Sequence, residues 1–374
     1  MLNMEKRWCP ALTVLLSSII CITLSTVISS NGAVMASQQF TAMFAFGDSL
    51  TDPGNNNYLN SLAKANYVPY GIDFYQGPSG RFCNGRTIID YLGDLLELPL
   101  LPAYANPFAT GRNILKGVNY ASAAAGILAE TGQNLGQRFN LNDQILNFES
   151  TLNQLRNQMN QQELSQYLSQ SLVVMTLGSN DYINNYLQPS FYSTSSTYKP
   201  NDYANLVINH YSRQILAIHN LGLRKFFLAG VGPLGCIPSQ LATGLAPPGK
   251  CVSYVNDIVS MFNTRLRSLV DQLNAQYPGS IFVYGNTYGA FNDVLDNANA
   301  YGFRVKDRGC CGIGKNKGQI TCLPFSVPCI NRNQHVFWDA FHPTQAVNQI
   351  LARKAYNGPP SDCYPVNVQK MAQM

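Results

Sequence analysis

Two short stretches at opposite ends of the chain carry the residue types of nucleophilic acyl chemistry. Ser49 stands in Gly47-Asp48-Ser49-Leu50, directly after the apolar run Ala42-Met43-Phe44-Ala45-Phe46. Asp339 and His342 stand in Trp338-Asp339-Ala340-Phe341-His342-Pro343. A serine hydroxyl is a weak nucleophile. It becomes effective when an imidazole takes its proton and a carboxylate holds that imidazole in the right tautomer. The Asp-x-x-His spacing puts both side chains on one side of a single turn, and Gly47 lets the chain turn sharply before the serine. Each motif alone has an ordinary reading, as a turn serine or as a capping Asp beside a surface His. His342 nevertheless stands apart from the other three histidines. His210 and His219 fall within an amphipathic helical pattern with no carboxylate at matching spacing, and His335 has no acidic partner three residues away.

Attack on a carbonyl also needs donors for the developing oxyanion. Asn180, in Gly178-Ser179-Asn180-Asp181, offers a side-chain amide; one such donor typically contributes about 2.7–4 kcal/mol. A further donor is expected among the backbone N–H groups of Ala121-Ser122-Ala123-Ala124-Ala125-Gly126, where small side chains let a substrate approach.

These residues need a scaffold, and the hydrophobic pattern supplies one. Short apolar runs at 43–46, 172–177, 225–229 and 280–284, with a shorter one at 118–121, read as strands. Helical periodicity fills 141–168, 203–221 and 252–277, and a last helix is expected from Thr344 to about Ala355. Continuous apolar strands separated by helices predict a three-layer α/β/α sandwich around a mostly parallel sheet. In such folds chemistry gathers outside the carboxyl ends of the strands, where Ser49 and Gly178–Asp181 both fall. No internal repeat or linker appears, so residues 37–374 read as a single domain. Residues 53–85 and 302–333 are rich in Gly, Pro and Asn and read as long ordered loops that shape a site.

Composition narrows the setting. Of 374 residues, 46% are hydrophobic, which excludes disorder. Only 12% are charged, about half the usual ~25%. The net charge of +5 is not gathered into a basic block, so nucleic acid is not an indicated partner. Residues 1–36 read as a secretory signal: Lys6 and Arg7, an uncharged apolar stretch, then Val34-Met35-Ala36 as a cleavage site. No later stretch is long and apolar enough to span a membrane, so none is expected in the mature chain. Eight cysteines follow the signal, and an even number in a secreted chain predicts disulfides. Local pairs are expected for Cys236–Cys251 and within the group Cys310, Cys311, Cys322 and Cys329. Two other motifs carry little. Gly230-Val231-Gly232-Pro233-Leu234-Gly235 is interrupted by the proline where a dinucleotide site needs a helix. Gly309 to Lys315 has Asn316 in place of the Ser/Thr of a P-loop, and no strand of apolar residues precedes it.

Taken in order, these blocks resemble the plant GDSL esterase/lipase family of the SGNH hydrolases. The first runs from Phe44 to Asn56, the second from Gly117 to Gly126, the third from Gly178 to Tyr182 and the last from Asp339 to Pro343; Gly230 to Cys236 is typical of the plant branch. The resemblance covers essentially the whole mature chain and implies an SGNH/flavodoxin-like fold. It implies Ser49 as nucleophile, His342 and Asp339 as the rest of the triad, and an oxyanion hole from the Ser49 N–H, Asn180 and Gly126. The second block departs from many relatives in carrying three alanines where they have more glycine. The expected activity is hydrolysis of carboxylic esters by a secreted protein of the cell wall or apoplast, acting on a lipid, cuticle or acylated wall component. No metal or organic cofactor is expected. Acyl transfer on the same triad is the first alternative, and a non-catalytic wall-binding protein the second.

Overall fold

In the computed structural model residues 40–374 are described; the expected signal at 1–36 lies outside them. Five short strands run parallel through the centre: β1 (Met43–Gly47), β2 (Gly117–Asn119), β3 (Leu172–Thr176), β4 (Lys225–Ala229) and β5 (Ile281–Gly285). Their order is β2-β1-β3-β4-β5, and a two-residue antiparallel strand, Cys363–Tyr364, closes the far edge beside β5. The apolar runs are continuous because both faces of the sheet are covered. Phe44, Phe46, Val173, Met175, Phe226, Leu228 and Phe282 all point into one core. Met43, Ala45, Leu172, Val174, Phe227 and Val283, their alternate neighbours, build the other.

The first core is roofed by α2 (Leu141–Arg156), α3 (Gln161–Ser169), α4 (Pro200–Asn220) and α5 (Ser253–Gln276). The second is covered by α1 (Ile88–Leu95) and α7 (Gln345–Asn357). A further helix, α6 (Thr287–Asp296), follows β5 and packs in a smaller cluster with Phe337 and Leu351. The chain is therefore an α/β fold with a central, mostly parallel sheet between helical layers, as the sequence predicts.

Three differences from the sequence reading have local causes. The single helix expected at 141–168 is two, because Asn160 accepts from the N–H groups of Gln162 and Glu163 while Glu163 accepts from Asn160. This reciprocal cap restarts the helix. The helix Gln345–Asn357 is not the last, since Val368–Ala372 follows it. A separate two-stranded sheet, β6 (Val305–Gly309) with β7 (His335–Phe337), carries polar residues that no apolar run announced. Among the described residues the disulfides are Cys236–Cys251, Cys310–Cys329 and Cys311–Cys322, all local; Cys83 and Cys363 are buried free thiols. No described helix is long and apolar enough to cross a membrane.

Candidate active site

Ser49 sits in the turn that follows β1, two residues past its end. The Asp48 carbonyl accepts from the N–H of Thr51 and Asp52, at 3.1 and 3.0 Å, closing that turn. Gly47 cannot be larger, because a Cβ there would lie 2.1 Å from Thr51 Oγ1 and 2.4 Å from Thr176 Oγ1. Gln144 of α2 clamps the same residue from both sides. Its Oε1 accepts from Gly47 N–H at 2.9 Å and its Nε2 donates to Gly47 C=O at 2.8 Å. Asp52 holds the far side of the turn, accepting from Gly54, Asn55 and Ala123. That last bond fastens the serine turn to the second block.

Asp339 and His342 follow β7. The Asp339 Oδ1 accepts the backbone N–H groups of Phe341 and His342, both at 2.8 Å, so the carboxylate shapes its own turn. His342 Nδ1 lies 2.9 Å from each Asp339 oxygen, and His342 Nε2 lies 2.7 Å from Ser49 Oγ. The fold thus brings Ser49, His342 and Asp339 into one hydrogen-bonded line. Asp339 is fully buried and His342 nearly so. Burial alone would raise the Asp339 carboxyl, but the His342 charge and hydrogen bond, then the Tyr70 hydroxyl and the Phe341 N–H, outweigh it and hold it below the usual range.

Asn180 lies in the middle of the single turn Ser179–Asp181 after β3. Gly178 enters it with φ 117°, and a Cβ there would meet Val231 Cγ2 at 2.9 Å. The Asn180 amide is oriented at both ends: Nδ2 donates to Ala125 C=O at 2.9 Å, and Oδ1 accepts from Asn184 at 2.7 Å. One Nδ2 hydrogen is left for a ligand. Asn180 borders both cavities that border Ser49. Gly126 borders neither. It packs against Thr131 and Asp181, whose carboxylate takes the N–H groups of Ile127 and Leu128. Ala123 and Ala124 line the serine cavity instead. The Ala123 N–H is taken by Asp52, whereas Ala124 adopts a left-handed φ of 66° and no described group accepts from its N–H.

Two residues of the site carry no sequence signal. Tyr70, fully buried, donates to Asp339 Oδ2 at 2.6 Å. Phe82 packs its ring against the His342 imidazole, centroids 5.1 Å apart. Both come from the 53–85 loop, whose length and Gly/Pro content marked it as site-shaping without singling them out. Asp48 is buried with one oxygen on the Leu50 N–H and the other unpartnered, and burial pushes its carboxyl up to about 7. Cys310, Cys329 and His335 converge, but the two sulfurs are bonded to each other and leave no thiolate for a metal. Of the remaining histidines, His219 meets Ser280 at 2.9 Å. The Gly230–Gly235 segment forms a short turn at Leu234–Cys236 on the cavity wall rather than the start of a long helix.

A parallel α/β/α sandwich with a serine, a histidine and an aspartate at the carboxyl edge of its strands is the frame of a hydrolase. The family model for "GDSL-like Lipase/Acylhydrolase" matches residues 43–355. The Arabidopsis thaliana GDSL esterase/lipase At1g71250 is 58% identical over 353 residues, 94% of each chain. GDSL esterase/lipase 7 of the same plant is 50% identical over 365 residues, 96% of this chain and all of the relative. This chain belongs to the plant GDSL esterase/lipase family of the SGNH hydrolase superfamily and is an enzyme of that type.

Proposed function

We propose that the protein is a secreted serine esterase in which Ser49 is the nucleophile, His342 the general base and Asp339 the group that orients it. The observation that carries this reading is the line Asp339–His342–Ser49, with 2.7 Å between imidazole and hydroxyl. Ser49 Oγ attacks the ester carbonyl carbon as its proton passes to His342 Nε2. The tetrahedral oxyanion takes the Ser49 N–H, the free Asn180 Nδ2 hydrogen and the Ala124 N–H, the last in the role expected of Gly126. The bond to the alcohol oxygen then breaks, and His342 returns the proton to it. Water gives a proton to His342 and attacks the acyl-serine, which releases the carboxylic acid and restores Ser49.

A lipid, cuticle or acylated wall ester is the substrate class, and the cell wall or apoplast the location. Three disulfides favour an oxidising compartment. The test is hydrolysis of a chromogenic ester series, acetate to a long acyl chain, by secreted protein and by Ser49→Ala. A loss of a thousandfold or more is expected in the variant. Equal rates in the two proteins would overturn the assignment. Product appearing as a new ester when an alcohol is supplied would move the reading to acyl transfer.

A further inference from the structure

We propose that Asn184 is a positioning residue of the oxyanion hole: it fixes which end of the Asn180 amide meets the developing charge, and it ties that amide to the loop carrying Ala124. This deepens the esterase reading and rests on the oxyanion roles given there to Asn180 and Ala124.

The oxygen and nitrogen ends of an asparagine amide are nearly the same in size, and a half-turn of the amide exchanges them. At an exposed surface the exchange does no harm. Beside Ser49 it would aim a lone pair, instead of an N–H, at the oxyanion. Two contacts oppose it. Asn180 Nδ2 donates to Ala125 C=O at 2.9 Å, and Asn184 Nδ2 donates to Asn180 Oδ1 at 2.7 Å. No other described group donates to that oxygen. Donation into Oδ1 also polarises the amide and strengthens the donor at its far end.

Residues four apart on a helical turn share a face, which brings Asn184 to Asn180. The backbone adds a second link. Asn184 lies within the wide turn Tyr182–Tyr186 with a non-helical φ of −115° and ψ of 20°, and its carbonyl accepts from the Gly132 N–H at 3.3 Å. Gly132, with φ 74°, sits so close to Ala124 that a Cβ on it would lie 2.1 Å from the Ala124 carbonyl oxygen. Asn184 thus reaches the side-chain donor through its amide and the loop of the backbone donor through its carbonyl. It borders the same cavity as Ser49, Ala124, Asn180 and His342.

Replacing the side chain with alanine removes the first link and keeps the second. The experiment measures kcat and KM for p-nitrophenyl butyrate, Ki for a trifluoromethyl alkyl ketone, and thermal unfolding. It compares the wild type with Asn184→Ala, Asn180→Ala, the double variant and Ser49→Ala. Ser49 Oγ adds to the ketone carbon, its proton passes to His342, and the ketone oxygen becomes an oxyanion, so Ki reads the hole directly. Asn184→Ala is expected to lower kcat about three- to tenfold, the worth of one neutral hydrogen bond. KM should stay within about twofold, and Ki should weaken by the same factor as kcat. Asn180→Ala should lose about a hundredfold or more. The double variant should match Asn180→Ala alone, because the contact acts only through that amide. Asn184→Ala with wild-type kcat and Ki, whatever its unfolding temperature, overturns the proposal. So does a loss that multiplies with that of Asn180→Ala. If Asn180→Ala is as active as the wild type, the oxyanion role of Asn180 fails and that of Asn184 falls with it. If hydrolysis survives Ser49→Ala, the esterase reading itself fails.

Discussion

Asp339 divides its two oxygens between building a turn and meeting a neighbour. Oδ1 accepts two backbone N–H groups of its own turn, and Oδ2 accepts the Tyr70 hydroxyl. The imidazole therefore meets a carboxylate that cannot swing, and the Tyr70 bond is one of the contacts keeping it ionised. Tyr70→Phe keeps the ring packing against Trp338 and Phe82 and deletes only the donor. Hydrogen bonds to charged groups are worth about 1.5–3 kcal/mol, so kcat/KM is expected to fall between tenfold and a hundredfold. Asp339 has its pKa depressed, and losing a contact that depresses it raises that pKa. The acid limb of the pH–rate profile should therefore move to higher pH. A purely structural tyrosine would lower stability and leave that limb in place, so the profile decides. The roles proposed for Ser49, Asp339 and His342 were legible in the sequence because their spacing is local or their context sharp. Tyr70 was not, since a hydrogen bond spanning 269 residues leaves no periodic trace.

The elements position the site through their ends. β1 stops where Gly47 has no room for a side chain, and α2 reaches across to hold that stop with one glutamine. Gln144 is fully buried and its amide is spent almost entirely on backbone: Gly47 on both sides and Phe139 C=O. Gln144→Leu would fill similar volume and leave the buried Gly47 N–H without an acceptor, at about 1–3 kcal/mol, while the Gly47 C=O keeps the Ser122 N–H. Chemical denaturation is expected to show that loss, together with a lower kcat for ester hydrolysis; an unchanged midpoint would count against the clamp. Strands were easy to read here because burial on both faces makes them continuous apolar runs. The Asn160 break was missed although Asn160 and Glu163 carry the capping-box spacing, since apolar periodicity continues across it. β6 was missed because Lys306, Asp307 and Arg308 lie exposed on a small sheet with no core of its own to demand hydrophobic residues.

At the scale of the molecule, the half of the site after β7 is tied to a loop whose outer part, 323–330, lies largely exposed. Phe325, Val327 and Ile330 are 84–90% exposed, so beyond the cluster of Cys310, Cys311 and Cys322 with Trp338, Tyr70 and Phe82 the loop is held by its cross-links. Cys310 and Cys311 donate their N–H groups to Phe337 and Trp338, at 3.0 and 2.7 Å, immediately before Asp339. Their sulfurs reach Cys329 and Cys322 within the same loop. Closing loops of this length contributes about 2–4 kcal/mol each. The backbone tie means that the stabilisation is delivered to the segment carrying Asp339 and His342. The Cys311→Ala/Cys322→Ala double variant should therefore lose thermal stability and also lose kcat, by about tenfold, because a small displacement of a catalytic group is costly. Thermal unfolding and ester kinetics on the same preparation check both. A variant that is less stable but fully active below its unfolding transition would show the loop to be a stabilising staple only, separate from the chemistry that it borders.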